Sequence, residues 1–318
     1  MLYPLKFKKV FHEKIWGGRA LETKLGLNIP EGKKIGEAWI VSAHPNGMSI
    51  IENGEFAGET LQEILDKYKA ELVGEKIYEK YKNRFPLLIK YLDINDRVSI
   101  QVHPDDDYSL KYENELGKSE CWYILDSAKN TKVILGMKPE ITREKFLEKA
   151  YNNDFSNLFA EKSVKKGDFF NIAPGVVHAS LYGSVLLVEI QESSDVTYRI
   201  YDFDREENGI KRQLHIDKAA EVIDYGKRPE ITNGELEENS SEKELISSKY
   251  YTVKNIKVTE KKKDINKQSF MIYIILDGSG SIKSENRKIE VKTGDSVLIP
   301  CAVEVEMSGG RSFLRISV

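Results

Sequence analysis

Residues 99–120 read SIQVHPDDDYSLKYENELGKSE. Val98 to His103 reads as a strand, and Pro104, which lacks an amide hydrogen, ends it. Side chains alternate across a strand, so Gln101 and His103 share one face. Glu120 closes the stretch ahead of the apolar run Cys121–Leu125, and Pro174-Gly175-Val176-Val177-His178 brings a second imidazole after a turn. One amide, two imidazoles and one carboxylate on a strand-rich scaffold form a ligand set for a divalent metal. Nitrogen and oxygen donors without thiolate suit zinc, iron, manganese, cobalt or nickel. Such a metal with an open position acts as a Lewis acid on a substrate oxygen.

Strand patterns continue on both sides of this stretch. Lys6–Val10, Gly36–Ser42, Leu87–Ile94, Phe169–Ile172, Ala179–Leu181 and Val185–Gln191 read as strands, and Val196–Tyr201 continues the sheet or its rim. Cys121–Leu125 and Lys132–Leu135 read as a pair of strands, Trp16-Gly17-Gly18-Arg19 as a turn, and Asn46-Gly47 as the turn of a hairpin. Leu61, Ile64, Leu65, Tyr68 and Leu72 instead recur at helical spacing. Ile77–Tyr81 reads as another helix, Asp217–Tyr225 as a short one, and Thr142 as an N-cap before Phe146, Leu147, Ala150 and Tyr151.

The expected organisation is a β domain over residues 1–225 with helical insertions at about 59–84 and 142–160. The polar segment 226–248 reads as a linker or crossing, and 249–318 as a smaller all-β domain. An internal echo supports two related units. Gly167-Asp168 and Gly294-Asp295 each precede an apolar strand and then a proline, Pro174 and Pro300. Four residues beyond the proline stands His178 in the first copy and Glu304 in the second, so only the first carries the ligand set. The expected fold class is therefore mainly β: two β-barrels, with helical insertions packed on the first.

Composition narrows the function. The chain of 318 residues is 40% apolar and 31% charged, as expected of a globular protein, with a formal net charge of −3. That balance offers no case for nucleic acid or a membrane as partner. No apolar run is long enough to span a bilayer or serve as a signal peptide. The two cysteines, Cys121 and Cys301, suit reduced thiols in the cytoplasm. Two further segments carry chemistry. Glu189 is a carboxylate inside an apolar strand, a setting used for proton transfer. Arg199 stands among aromatics in Thr197–Tyr201 and can fork onto phosphate or offset an anionic intermediate. Lys118 shares the strand face of Glu120 if that strand extends back to it.

Several of these stretches together resemble the type I mannose-6-phosphate isomerases (phosphomannose isomerases), zinc enzymes of the cupin superfamily. They are GEAWIVSAHPNG at 36–47, FPLLIK at 85–90, SIQVHPDD at 99–106, GKSECWY at 117–123, PGVVHA at 174–179 and SDVTYRIYD at 194–202. The length is similar to that of the short bacterial form. The resemblance implies that both barrels are of the cupin-like (jelly-roll) kind, with one zinc ion per chain, held by Gln101, His103, Glu120 and His178. It implies a catalytic role for Arg199, an acid/base role for Glu189, and phosphate and sugar contacts by Ser99 and Lys118. Trp39 and His44 fall in a family motif with a structural or pocket-lining role. The implied reaction interconverts mannose 6-phosphate and fructose 6-phosphate through an enediol, with Glu189, Lys118 and a zinc-bound water as candidate bases. The implied enzyme is a cytoplasmic monomer or weak homo-oligomer. Two other readings stand beside it: another metalloenzyme on the same barrel, and a cupin that binds sugar phosphate without catalysis.

Overall fold

The computed structural model describes residues 1–207, 209–285 and 287–318. Two sheets face each other in the first part of the chain. The larger has seven strands, in the order Thr232–Asn233, Asp168–Ile172, Glu120–Ser127, Val185–Glu192, Leu87–Ile94, Val10–Gly18, Ile35–Val41. The smaller has five: Tyr198–Tyr201, Ile100–Val102, His178–Tyr182, Lys132–Met137, Phe159–Ser163. Their inner faces enclose a core that includes Trp16, Leu92, Ile94, Trp122, Ile124 and Leu187. The two sheets remain separate, so this is an open sandwich rather than a closed barrel.

The outer face of the seven-stranded sheet supplies Ile40, Tyr91, Val188 and Ile190 to a second core, shared with Phe270, Ile272, Leu298 and Ile316 of the C-terminal strands. Those strands form a ten-stranded sheet around Met271–Lys283. A register shift between Ile275 and Asp277 accompanies the passage of this long strand from one set of partners to another. The N-terminal Leu5–Lys8 pairs with Ser296–Ile299, so the beginning of the chain is woven into the C-terminal sheet. Residues 226–248 contain Thr232–Asn233, paired with Asp168–Ile172, and Glu242–Ser247, paired with Thr252–Val258.

The first helical insertion forms Leu61–Tyr68, Ala70–Val73 and Glu75–Tyr81. Thr60 and Glu63 close a capping box at its start. Its buried Leu61, Ile64, Leu65 and Leu72 enter the core shared with the C-terminal sheet. In the second insertion, the helix Arg143–Tyr151 is capped by Thr142 and packs with Ile216–Val222 over the outer face of the five-stranded sheet.

Several expectations from sequence need correction. Trp16-Gly17-Gly18 is not a turn but the end of the strand Val10–Gly18. A Cβ at Gly17 would sit 2.6 Å from Gly36 N, so glycine there permits close strand approach. Asn46-Gly47 makes no hairpin. Pro45–Gly47 is a 3-10 turn in which His44 Nδ1 accepts the Asn46 amide, and Ile50–Ile51 pairs instead with Leu5–Lys8. Glu120–Ser127 and Lys132–Met137 are not partners, because the turn between them carries the chain across the sandwich to the opposite sheet. The second insertion ends early, and Phe159–Ser163 is a strand. Two helices gave no clear sequence signal: Ala20–Leu25, and Asp106–Tyr112, capped by Asp105 inside the opening stretch.

Candidate active site

Alternation along each inner strand decides what enters the sandwich. On Glu120–Ser127 the inward residues are Glu120, Trp122 and Ile124; on Val185–Glu192, Gln191, Glu189 and Leu187; on Leu87–Ile94, Lys90, Leu92 and Ile94. On these three strands polar side chains gather toward one end and apolar ones toward the other, with Leu88 the apolar exception at the polar end. Register lines the polar ends up: Glu189 lies directly opposite Lys90 on one side and Trp122 on the other, and Lys90 opposite Trp39. From the facing sheet, Gln101 lies directly opposite both His178 and Arg199.

His103, Glu120 and His178 meet at this end, all buried, with ligand atoms within 4.8 Å of one another. Glu120 Oε1 is 3.2 Å from His178 Nε2, and Oε2 is 3.6 Å from His103 Nε2. Each imidazole turns Nδ1 toward a backbone carbonyl, that of Val196 at 2.8 Å and Val176 at 3.0 Å. A proton on Nδ1 satisfies those carbonyls and directs both Nε2 lone pairs at the same point. Gln101 Nε2 lies 3.2 Å from His178 Nε2, and its Oε1 accepts from Ser99 Oγ at 3.3 Å.

The charge state fits a cation at that point. Burial, with Lys118 and His178 nearby, holds His103 well below the usual imidazole range, and burial lowers His178 as well. Burial would raise Glu120, yet the Lys118 ammonium holds it below the usual carboxylate value. Neutral imidazoles around an ionised carboxylate are the protonation states that ligate. Neither oxygen of Glu120 accepts a well-directed hydrogen bond, although Lys118 Nζ lies 2.8 Å from Oε2. The donor set therefore suits a divalent metal, the more so with Gln101 at its edge.

Gln101 and Lys118 stand between this group and a cavity of about 310 Å³, also lined by Ser99, Lys90, Glu189 and Arg199. A file of alternating charges runs along its wall. Lys14 is 3.1 Å from Glu37, Lys90 is 3.8 Å from Glu37 and 3.2 Å from Glu189, and Glu189 is 4.0 Å from Lys118. Trp122 Nε1 donates to Glu189 Oε2 at 3.0 Å. Glu37 is pushed down to about 2: burial opposes its charge, but Lys90 and Lys14 prevail. Lys90 is raised, since Glu189 and Glu37 outweigh its burial. Arg199 is steered from behind, its amide donating to His215 Nδ1 at 3.1 Å and its Nη1 to the Gln213 carbonyl at 3.1 Å. Trp39 donates to Glu37 and carries Lys90 Nζ 5.0 Å above its ring, while His44 caps a turn.

All eight residues singled out from sequence for site roles converge here. Lys90, Glu37, Trp122 and Arg212 were missed. A lysine in the apolar run LLIKYLDI was the one available signal. A larger cavity of about 940 Å³, by Tyr3, Lys283 and Glu304, mixes acids and bases and contains none of these groups.

Comparison with known proteins follows the same lines. The phosphomannose isomerase type I catalytic domain matches residues 4–129, and the mannose-6-phosphate isomerase cupin domain matches residues 241–317. The mannose-6-phosphate isomerase of Streptococcus mutans is 36% identical over 306 residues, covering 96% of this chain and 94% of that protein. Mannose-6-phosphate isomerase ManA of Bacillus subtilis is 37% identical over 304 residues, covering 93% of each. The crystal structure of the mannose 6-phosphate isomerase from Bacillus subtilis superposes with a TM-score of 0.87 at 33% identity, covering 100% of both chains.

Proposed function

The chain belongs to the type I phosphomannose isomerases, and on that premise we propose that Gln101, His103, Glu120 and His178 hold one zinc ion at the edge of the cavity. The chain interconverts mannose 6-phosphate and fructose 6-phosphate. The observation that carries the site assignment is the buried His103–Glu120–His178 group, with both Nε2 atoms aimed at one point. A zinc ion held by these four residues would supply Lewis-acid polarisation of a substrate oxygen.

The remaining chemistry belongs to the chain. Aldose–ketose exchange moves the carbon 2 hydrogen to carbon 1 and the hydroxyl hydrogen of oxygen 2 to oxygen 1, through an enediol. Glu189 takes the carbon 2 proton and returns it to carbon 1, its carboxylate kept in place by Trp122 and Lys90. Arg199 offsets the negative charge that develops on the enediolate oxygen. Lys118 and Ser99 contact the sugar oxygens from the cavity wall. Burial of Lys90 and Lys118 between carboxylates keeps the wall ordered before substrate arrives.

Residues 1–225 then form the catalytic domain, 226–248 a crossing, and 249–318 a supporting cupin-like domain without a metal site. No helix of the described residues is long and apolar enough to cross a membrane. We place the enzyme in the cytoplasm as a monomer or weak homo-oligomer. Incubation with mannose 6-phosphate, with and without a chelator, tests the proposal. Fructose 6-phosphate formed only without chelator, and restored by zinc, is expected; no product with zinc present would sink the reading.

A further inference from the structure

The two ends of the cavity differ in charge. Three lining ammonium groups, Lys14, Lys90 and Lys118, pair with Glu37, Glu189 and Glu120, and Asp195 adds a further carboxylate to the lining. At the other end two guanidinium groups share a single carboxylate. Arg212 Nε is 2.8 Å from Asp202 Oδ2 and its Nη2 is 2.5 Å from Oδ1, while Arg205 Nη2 reaches the same Oδ1 at 2.7 Å. Among the described contacts both guanidiniums bond to this one buried carboxylate, so the cluster brings two positive charges and one negative to the cavity, which Arg212 lines. The two guanidiniums also hold Asp202 below the usual carboxylate range against its burial.

Register shows which way this end points. Tyr198 pairs with Val102, Arg199 with Gln101 and Tyr201 with Ile100, so the chain running from Tyr198 to Asp202 moves away from His103. Arg212 follows the small hairpin of Glu206–Glu207 with Ile210–Lys211, and the adjacent Gln213 carbonyl accepts from Arg199 Nη1. Arg212 is thus presented by Asp202 on the side of the cavity remote from the metal-type group. Mannose 6-phosphate has the same polarity: it reacts at carbons 1 and 2 and carries its dianion on carbon 6. With Nε and Nη2 committed to Asp202, Nη1 is the nitrogen left for an anionic oxygen.

Resting on the isomerase reading above, we infer that Arg212 binds the substrate phosphate and that Asp202, with the hairpin, is its positioning element. The site takes a phosphate monoester dianion, and its contribution is to affinity rather than to proton transfer.

The test uses the zinc-loaded full chain. Arg212→Gln is expected to raise KM for mannose 6-phosphate by roughly tenfold or more while kcat stays within about threefold, the pattern of lost uniform binding. Inhibition by inorganic phosphate weakens in parallel, and Arg212→Lys recovers part of both. Asp202→Asn shifts KM in the same direction by less. A folded Arg212→Gln protein with unchanged KM and phosphate inhibition overturns the inference, as does a fall in kcat at constant KM. Should the wild type form no fructose 6-phosphate, the isomerase reading fails separately. Calorimetric titration of inorganic phosphate into wild type and Arg212→Gln then decides the site: weaker binding in the variant supports it, and equal binding overturns it.

Discussion

Lys118 and Glu120 form a buried ion pair, Nζ to Oε2 2.8 Å, with the same Nζ 3.2 Å from Nε2 of His103. A metal ion drawn to Glu120 therefore competes with an ammonium group already there.

Removing that ammonium should separate the two states of the protein. Lys118→Met leaves Glu120 buried without its cation, which costs about 3–5 kcal/mol for one partner of a buried pair. In chelator-treated protein the melting temperature is expected to fall markedly, and zinc is expected to restore most of the loss. An equal fall with and without zinc would show that Lys118 does not offset Glu120.

Metal content gives a second check, independent of turnover. His103→Ala, Glu120→Ala and His178→Ala should each leave far less than one zinc per chain after dialysis, because each removes a ligand that converges on the shared point. Gln101→Ala keeps those three residues and should retain more zinc than any of them. Full zinc occupancy in His178→Ala would refute the assignment of that ligand.

Glu189 is held by Trp122 and Lys90 but is not part of the metal-type group. Glu189→Gln preserves shape and removes basicity, so kcat should fall by about 10²–10⁴-fold with zinc content unchanged. Near-normal turnover in a zinc-loaded variant would remove Glu189 from the proton path.

Glu192 supplies a pH dependence of stability. Its Oε2 accepts the Ser119 amide at 2.9 Å, and its carboxyl also shares a side-chain hydrogen bond with Asp106. Burial, then the nearby Asp106, pushes this carboxyl up to about 9. The folded protein therefore keeps a proton that the unfolded chain releases above about pH 4.3, its ordinary value, so the stabilisation fades as pH rises toward about 9. Glu192→Gln should remove that slope. Its melting temperature should gain on the wild type as pH is raised from about 5 to about 9, and parallel curves would contradict a protonated Glu192.

The residues of the candidate metal group were legible because their signal is local. Gln101 and His103 share a face by strand periodicity alone, and Glu120 and His178 each border a strand with a clear apolar pattern. Lys90, Glu37 and Arg212 were not legible, because each enters the site only through a partner distant in sequence: Lys90 through Glu189, Glu37 through Lys90, and Arg212 through Asp202 on the far side of a hairpin.

The sequence by itself determined the strands that carry the candidate site, where the first helical insertion falls, and which side chains have ligand chemistry, since period, capping and residue type act within a few residues. Tertiary structure alone decided which strands pair. Glu120–Ser127 and Lys132–Met137 part to opposite sheets, Leu5–Lys8 crosses to the C-terminal strands, and register sets Glu189 between Lys90 and Trp122. Strand partners are chosen by burying two faces at once across long loops, and no local pattern carries that information. The file of alternating charges along the cavity wall has the same origin, because it exists only once pairing has set Glu37, Lys90 and Glu189 side by side on neighbouring strands.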